Sequence, residues 1–165
     1  MPRPDAEALD NAGHELAARA VRLLAVREHS VQELRRKLRR KRGPDSADDA
    51  AIEAVLEDLQ HDGLLSEARF VEAFVRSRLG RGQGPAKIRA GLIERGVARE
   101  LVDDALGQLD QDGDFWGDRA RDAETRRFGA APPADRADWA KRARFLSSRG
   151  FGPEVIYRTL GEQPV

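Results

Sequence analysis

The chain has 165 residues, of which 40% are hydrophobic and 35% charged, and its 29 basic and 29 acidic residues give a formal net charge of zero. This composition suits amphipathic helices and is too apolar, and too regularly patterned, for a disordered chain. Because the chain contains no cysteine, disulfide bonds and thiolate metal sites are excluded. No signal-peptide core or membrane-length apolar run is visible, so we expect a cytoplasmic protein with no membrane partner.

Apolar residues recur with helical spacing along the chain, in successive stripes that start near the N-terminus. The stripes contain, in order, Leu16, Ala20 and Leu24; Val31, Leu34 and Leu38; Ile52, Leu56 and Leu59; Phe70, Phe74 and Val75; Ile88, Leu92 and Ile93; and Val102, Leu106 and Leu109. Ser30 and Glu33 form a capping-box pattern, and Pro85 and Pro153 stand at first helical positions. Since no useful stretch alternates with a period of two, we predict an all-α protein of about nine helices without a sheet.

The sequence also repeats itself. A displacement of 54 residues superposes Arg22, Arg27, Leu34 and Leu38 on Arg76, Arg81, Ile88 and Leu92, and a displacement of 122 superposes the same positions on Arg144, Arg149, Ile156 and Leu160. These copies predict an elongated, right-handed array of tandem three-helix repeats. We divide the chain into a flexible N-terminal segment at 1–13 and repeats at 14–65, 66–112 and 113–165. The third repeat is irregular, because residues 115–128 look like an additional helix.

Few residues suggest chemistry. His14, His29 and His61 fall on separate predicted helices or turns, and none stands one helical turn from another metal-ligating residue. The glycine-rich segment 80–84 lacks the Gly-Lys-Ser/Thr ending of a phosphate-binding loop and follows a helix rather than a strand. We therefore predict that the protein is not an enzyme and has no metal ion or cofactor.

The densest charge feature is the basic run 35–42, in which every residue except Leu38 is basic, followed by an acidic segment at 45–62. The two segments could neutralise each other in part, or each could face a partner. The partner could be nucleic-acid phosphate or an acidic protein surface, although the 5% aromatic content argues against base stacking. The recurring arginines suit a structural role and a partner-facing role equally well. The candidate partner-binding residues are Arg35, Arg36, Lys37, Arg39, Arg40, Lys41, Arg42, Arg76, Arg78, Arg81, Arg144 and Arg149.

Three ordered motifs resemble the RecX family. Residues 24–38 are similar to its Leu-x-x-Arg-x-x-Ser-x-x-Glu-Leu-x-x-Lys-Leu signature. Residues 59–85 carry Gly-Leu-Leu, Arg-Phe, Arg-Ser-Arg and Gly-Gln-Gly-Pro in the family's order, and residues 144–151 read Arg-Phe-Leu-Ser-Ser-Arg-Gly-Phe. Ser66 and Glu67 stand where the family more often has paired acids, and Val71 replaces a usual alanine.

The resemblance implies a regulatory role. RecX proteins bind the RecA recombinase filament on single-stranded DNA, mainly inhibit its ATPase and strand exchange, and hinder its SOS coprotease activity in DNA repair. A monomer that binds along the filament groove, with possible weak direct contact to DNA, is therefore expected. The alternative is a helical protein that binds nucleic acid directly through the basic helix at 30–42.

Overall fold

The structure is a computed structural model that describes residues 4–40 and 46–164. Its described residues form nine helices and no strand, which confirms the predicted all-α class. The helices are α1 (Pro4–Val26), α2 (Val31–Arg39), α3 (Ser46–His61), α4 (Glu67–Gly80), α5 (Pro85–Glu94), α6 (Arg99–Leu109), α7 (Phe115–Phe128), α8 (Arg136–Arg149) and α9 (Pro153–Leu160). Helix α1 thus begins within the segment 1–13, of which residues 1–3 lie outside the described part of the chain.

The chain divides into two compact units, the first comprising residues 1–71 and 95–97. Helices α1, α2 and α3 pack pairwise against one another in this unit. Their apolar stripes meet in one core, because residues three or four positions apart share a helix face. The core contains Leu16, Ala20, Leu34, Leu38, Ile52, Val55, Leu56, Leu59 and Leu65.

Helix α2 begins at a densely hydrogen-bonded N-terminus, in agreement with the capping-box prediction. The Ser30 hydroxyl accepts a hydrogen bond from the Glu33 amide at 3.0 Å, and the Glu67 carboxylate accepts one from the Val31 amide at 3.0 Å. The Ser30 hydroxyl also donates to the Arg95 carbonyl at 2.6 Å. Two of the amides that a helix start leaves without intrahelical partners are therefore satisfied by side chains.

The second unit comprises residues 72–94 and 98–165, so α4 begins in the first unit and continues into the second. Helix α5 packs against α6, and α7, α8 and α9 pack pairwise. Interpreting α7 as an additional helix outside the third repeat was therefore wrong, because α7 is one member of this bundle. Trp116 of α7 and Trp139 of α8 are buried, and the Trp139 indole donates to the Gly161 carbonyl at 3.0 Å.

The end of α8 meets the start of α5 in what we call the α5–α8 seam. The amides of Gly84 and Ala86 donate to the carbonyls of Arg149 and Gly150, at 2.7 and 3.1 Å. The Lys87 ammonium adds a hydrogen bond to the Ser148 carbonyl at 2.9 Å. Amides at a helix start thus pair with carbonyls at another helix end, and the opposite ends of the two helix dipoles attract.

A corresponding contact lies 54 residues earlier, within the first unit. There Ser30 bonds to the Arg95 carbonyl, and a side chain at Gly96 would overlap the Cβ of Gln32 at 2.6 Å. Arg95 and Gly96 stand 54 positions before Arg149 and Gly150, so the end of α8 corresponds to the end of α5. The displacement of 122 residues, which aligned α8 with α1, is therefore wrong as a structural correspondence. It matched the sequences because each of these helices ends in an arginine and is followed by another amphipathic helix.

Candidate partner-binding surface

The basic run begins on α2, whose apolar residues fix its orientation. Leu34 and Leu38 are fully buried in the core of the first unit. Arg36, Arg39 and Arg40 are exposed, whereas Arg35 and Lys37 are partly buried. The candidates Lys41 and Arg42 lie outside the described residues. An α2 face that carries positive charge is therefore accessible to a partner.

Part of this charge is paired with the acidic segment that follows in the sequence. Arg35 binds both carboxylate oxygens of Glu53 on α3, with N–O distances of 2.5 and 2.8 Å. The hydrogen bond with Arg35 lowers the pKa of Glu53, and the same bond raises the pKa of Arg35. Arg39 pairs with Asp49 at 2.8 Å, and both side chains are about half exposed. Arg35 thus links two helices, while Arg36 and Arg40, one turn apart, carry the accessible charge of α2.

Lys37 is held by a buried histidine. His29 is 1% exposed, its Nδ1 lies 2.9 Å from the Arg27 carbonyl, and its Nε2 lies 2.8 Å from the Lys37 ammonium. These contacts fit a neutral imidazole in which Nδ1–H donates and Nε2 accepts. Burial lowers the pKa of His29, and the positive charges of Arg27 and Lys37 lower it further. His29 therefore has a structural role at the junction of α1 and α2.

Acidification is expected to destabilise the protein through His29. Because the folded state lowers the pKa of His29, stability is complete above the unfolded value of about 6.5 and falls as the pH drops through and below it. The measurement is the thermal midpoint between pH 7.5 and 5. The variant His29→Gln should show a shallower loss over this range, whereas His61→Gln, at an exposed position, should keep the wild-type slope. Equal slopes for wild type and His29→Gln would refute this assignment.

The candidates on α4 and the turn after it belong to the second unit. Arg76 is 74% exposed and pairs with Glu72 one turn earlier at 3.2 Å. The Arg78 guanidinium lies over the Phe74 ring, 4.6 Å from its centroid. Arg81 is exposed in the turn between α4 and α5. An exposed ion pair of this kind contributes little to stability, so Arg76 remains available to a partner.

The candidates on α8 have different surroundings. Arg144 is exposed, whereas Arg149 donates to the Arg81 carbonyl at 3.0 Å and lies over the Phe145 ring, 5.2 Å from its centroid. In the first unit, Arg27 bonds the Glu33 carboxylate at 3.1 Å and the Glu28 carbonyl at 2.7 Å. The recurring arginines at the helix ends thus make structural contacts in both units. These contacts support the structural interpretation of Arg27 and Arg149.

A surface depression in the second unit brings Arg81 and Arg149 together with two arginines that the sequence analysis did not select. Its lining is formed by Gly80, Arg81, Gly82, Ala123, Arg126, Arg127, Phe145 and Arg149. Arg126 and Arg127 lie in the last turn of α7. The Arg126-Arg127 pair was visible in the sequence, but its proximity to the 80–82 turn depends on how α7 packs.

Other kinds of site were sought in the described part of the chain. Its histidine, aspartate and glutamate side chains form no group of three that could hold a metal ion. None of the helices at 4–40 and 46–164 combines the length and apolarity needed to cross a membrane.

Comparison with known proteins identifies the family. A model described as the second three-helix domain of RecX matches residues 66–106, and one described as the third matches residues 118–160. The regulatory protein RecX of Pseudomonas putida is 45% identical over 141 residues, which are 86% of this chain and 86% of that protein. The chain belongs to the RecX family. The regulatory protein RecX of Halorhodospira halophila is 47% identical and covers 83% of this chain and 81% of its own length.

Solved RecX structures share the fold. A crystal structure of regulatory protein RecX superposes with a TM-score of 0.76 at 22% identity, covering 94% of this chain and 76% of that chain. RecX from Lactobacillus salivarius superposes with a TM-score of 0.72 at 18% identity, covering 89% of this chain and 93% of that chain. This likeness confirms the fold class.

Residues at which the chain departs from the usual RecX motif have definite contacts. The Ser66 hydroxyl accepts a hydrogen bond from the Arg69 amide at 3.2 Å, as an N-terminal cap of α4 does. Glu67 accepts from the Val31 amide, and burial raises the pKa of Glu67. Val71 is buried, with 3% exposure. In this RecX protein the variant residues therefore serve the start of α4, the start of α2 and the core.

Proposed function

We propose that this protein binds the RecA filament on single-stranded DNA and mainly inhibits its ATPase, strand-exchange and SOS coprotease activities. It acts in the cytoplasm as a monomer made of three three-helix repeats, and it has no catalytic activity of its own. The observation that carries the proposal is the match to proteins named regulatory protein RecX over 86% of the chain. Since the match covers the same share of that protein, the proposal concerns the whole regulator rather than one shared module.

The distribution of accessible arginines supports binding to a repetitive partner. Arg36 and Arg40 are exposed in the first unit, and Arg76, Arg81 and Arg144 are exposed in the second. A filament presents the same surface at regular intervals, so several weak contacts can add up to a useful affinity. Exposed positive charge also accelerates association with a negatively charged surface.

The direct test is ATP hydrolysis by the cognate RecA on single-stranded DNA while this protein is added at increasing concentration. We expect inhibition at ratios well below one regulator per recombinase, because filament growth depends on each added subunit. The protein alone should hydrolyse no ATP. If stoichiometric amounts left hydrolysis unchanged, the recombinase proposal would be wrong.

The double reversal Arg36→Glu/Arg40→Glu is expected to raise the concentration needed for half-maximal inhibition by roughly tenfold, because each reversal replaces attraction by repulsion. Both positions are exposed, so the melting temperature should change little. The matched control is Arg99→Glu/Arg136→Glu, which changes the net charge equally at exposed positions outside α2 and should leave inhibition nearly intact. If both variants inhibited equally, specific contact through α2 would be refuted.

Direct binding of nucleic acid through α2 is a second candidate, supported by the exposure of Arg36 and Arg40. It is weakened by the pairing of Arg35 and Arg39 with acidic residues of α3, because paired guanidiniums release fewer phosphate counterions. The two functions separate by binding to an oligonucleotide without RecA. A direct nucleic-acid binder would bind it with an affinity that falls steeply with salt, and its effect on RecA would follow that affinity.

A further inference from the structure

The arginines around the depression of the second unit converge from three helix ends. Arg81 follows the end of α4, Arg126 and Arg127 lie in the last turn of α7, and Arg149 ends α8. No described residue that lines the depression carries a carboxylate. Within the described part of the chain, none of the four arginines forms an ion pair with an acidic residue. Four positive charges thus share one small region.

The helix dipoles do not balance this charge. A helix C-terminus carries roughly half a negative elementary charge, so three such ends supply about −1.5 against four guanidinium charges. The contacts of Arg149 with the Arg81 carbonyl and the Phe145 ring hold its guanidinium without neutralising it. Mutual repulsion among the remaining positive charges is relieved when an anion enters the depression.

We propose that this depression binds the acidic side chains of an extended segment of a partner protein. Guanidinium groups bind carboxylates with planar, paired hydrogen bonds. Gly82, the buried Ala123 and Phe145 provide an apolar surface for the methylene groups of a glutamate beside the charged groups. The site lies in the second unit and is separate from the α2 face. The proposal concerns the kind of ligand, so it does not depend on the partner being RecA.

Two observations favour a protein segment over single-stranded nucleic acid. The Phe145 ring is already in contact with the edge or face of Phe128, at a centroid distance of 5.3 Å, and with the Arg149 guanidinium, so it is poorly placed to stack on a base. The second unit also contains nearly equal numbers of basic and acidic residues, whereas binding of a polyanion is favoured by a groove of continuous positive charge. Focused charge in a compact depression suits one or two carboxylates.

The test is NMR titration of the full-length, isotope-labelled protein with the capped peptide Gly-Glu-Glu-Asp-Glu-Gly. The matched probe is Gly-Gln-Gln-Asn-Gln-Gly, which keeps the shape and removes the charge. An oligothymidylate in a separate titration supplies phosphates instead of carboxylates. We expect the acidic peptide to shift the guanidinium Nε–H signals of Arg81, Arg126, Arg127 and Arg149 and the Gly82 amide. The neutral peptide should leave these signals unchanged, and the oligothymidylate should affect them less at equal charge concentration.

The variant Arg126→Gln/Arg127→Gln should weaken binding of the acidic peptide by at least about fivefold, since it removes two charge-assisted hydrogen bonds. Arg81→Gln is an independent variant, because it removes a charge and keeps the backbone carbonyl that Arg149 uses. The control Arg99→Gln/Arg136→Gln removes two exposed arginines that do not line the depression and should retain the wild-type affinity. Absence of shifts at the depression, an equal response to the neutral peptide, or a response to the oligothymidylate alone would overturn the proposal.

Discussion

Replacing Arg142 with alanine is expected to lower the free energy of unfolding by about 3 kcal/mol, because it removes one partner of a buried ion pair. Arg142 is 6% exposed and Glu124 is 8% exposed, and their side chains bond at 2.5 Å. The guanidinium also donates to the Ala131 carbonyl at 2.8 Å and pairs with Asp138 at 2.8 Å. Hydrogen bonds with Asp138 and Glu124 raise the pKa of Arg142, so its charge persists. Without Arg142, the Glu124 carboxylate would remain buried without a countercharge.

Denaturant unfolding of the full-length protein measures this effect, provided that the slope of the transition is unchanged. Arg144→Ala is the matched control, since Arg144 lies on the same helix but is exposed, and its replacement should cost less than about 0.5 kcal/mol. The double variant Arg142→Met/Glu124→Met should recover much of the lost stability, because an apolar pair leaves no buried charge. A cost for Arg142→Ala no greater than that for Arg144→Ala would show that the pair contributes nothing.

The substitution Gly84→Ala is expected to destabilise the protein by about 3 kcal/mol, at the upper end of the usual cost of overpacking. A Cβ atom at Gly84 would lie 2.6 Å from the Gly150 carbonyl oxygen and 2.7 Å from its carbon. These are backbone atoms of the α5–α8 seam, which cannot move aside as a flexible side chain can. The Gly84 amide donates to the Arg149 carbonyl at 2.7 Å, so moving the chain apart would also weaken this hydrogen bond.

Two glycines serve as controls for this substitution. Gly107 is inside α6 with no atom near its would-be Cβ, so Gly107→Ala should stabilise the protein by up to about 1 kcal/mol through helix propensity. Gly152 precedes α9, corresponds to Gly84 under the displacement of 122 residues, and also has open space. A cost for Gly152→Ala equal to that for Gly84→Ala would therefore contradict the correspondence of α8 with α5.

Features set by neighbouring residues were predictable from the sequence. The apolar stripe of Leu34 and Leu38 and the cap at Ser30 depend on spacings of three or four residues, and both are present in the structure. The role of α7 was not predictable in this way, because packing against α8 and α9 joins residues far apart in the chain. A sequence similarity between α1 and α8 hid this correspondence.

The candidate site was predictable only as a set of residue types. The basic run was evident, yet the sequence could not distinguish Arg35, which binds Glu53, from the exposed Arg36 beside it. Helical periodicity would have helped, because Arg35 lies next to the buried Leu34 on the side facing α3. The cluster that includes Arg126 and Arg127 requires knowledge of three helix ends at once. No local pattern contains that information.

The two contacts separated by 54 residues have a consequence for synthesis on the ribosome. The Ser30 hydroxyl at the start of α2 reaches its Arg95 partner only after residue 95 has been made, and the start of α5 waits for residues 149 and 150. Helix α8 needs no such later partner, because the carboxylate of Asp135 accepts a hydrogen bond from the Asp138 amide at 2.8 Å. Each earlier stretch of the nascent chain is thus completed by the stretch that emerges after it, and the last one closes on itself. A ribosome that stops early would release a chain whose final finished portion still lacks its partner.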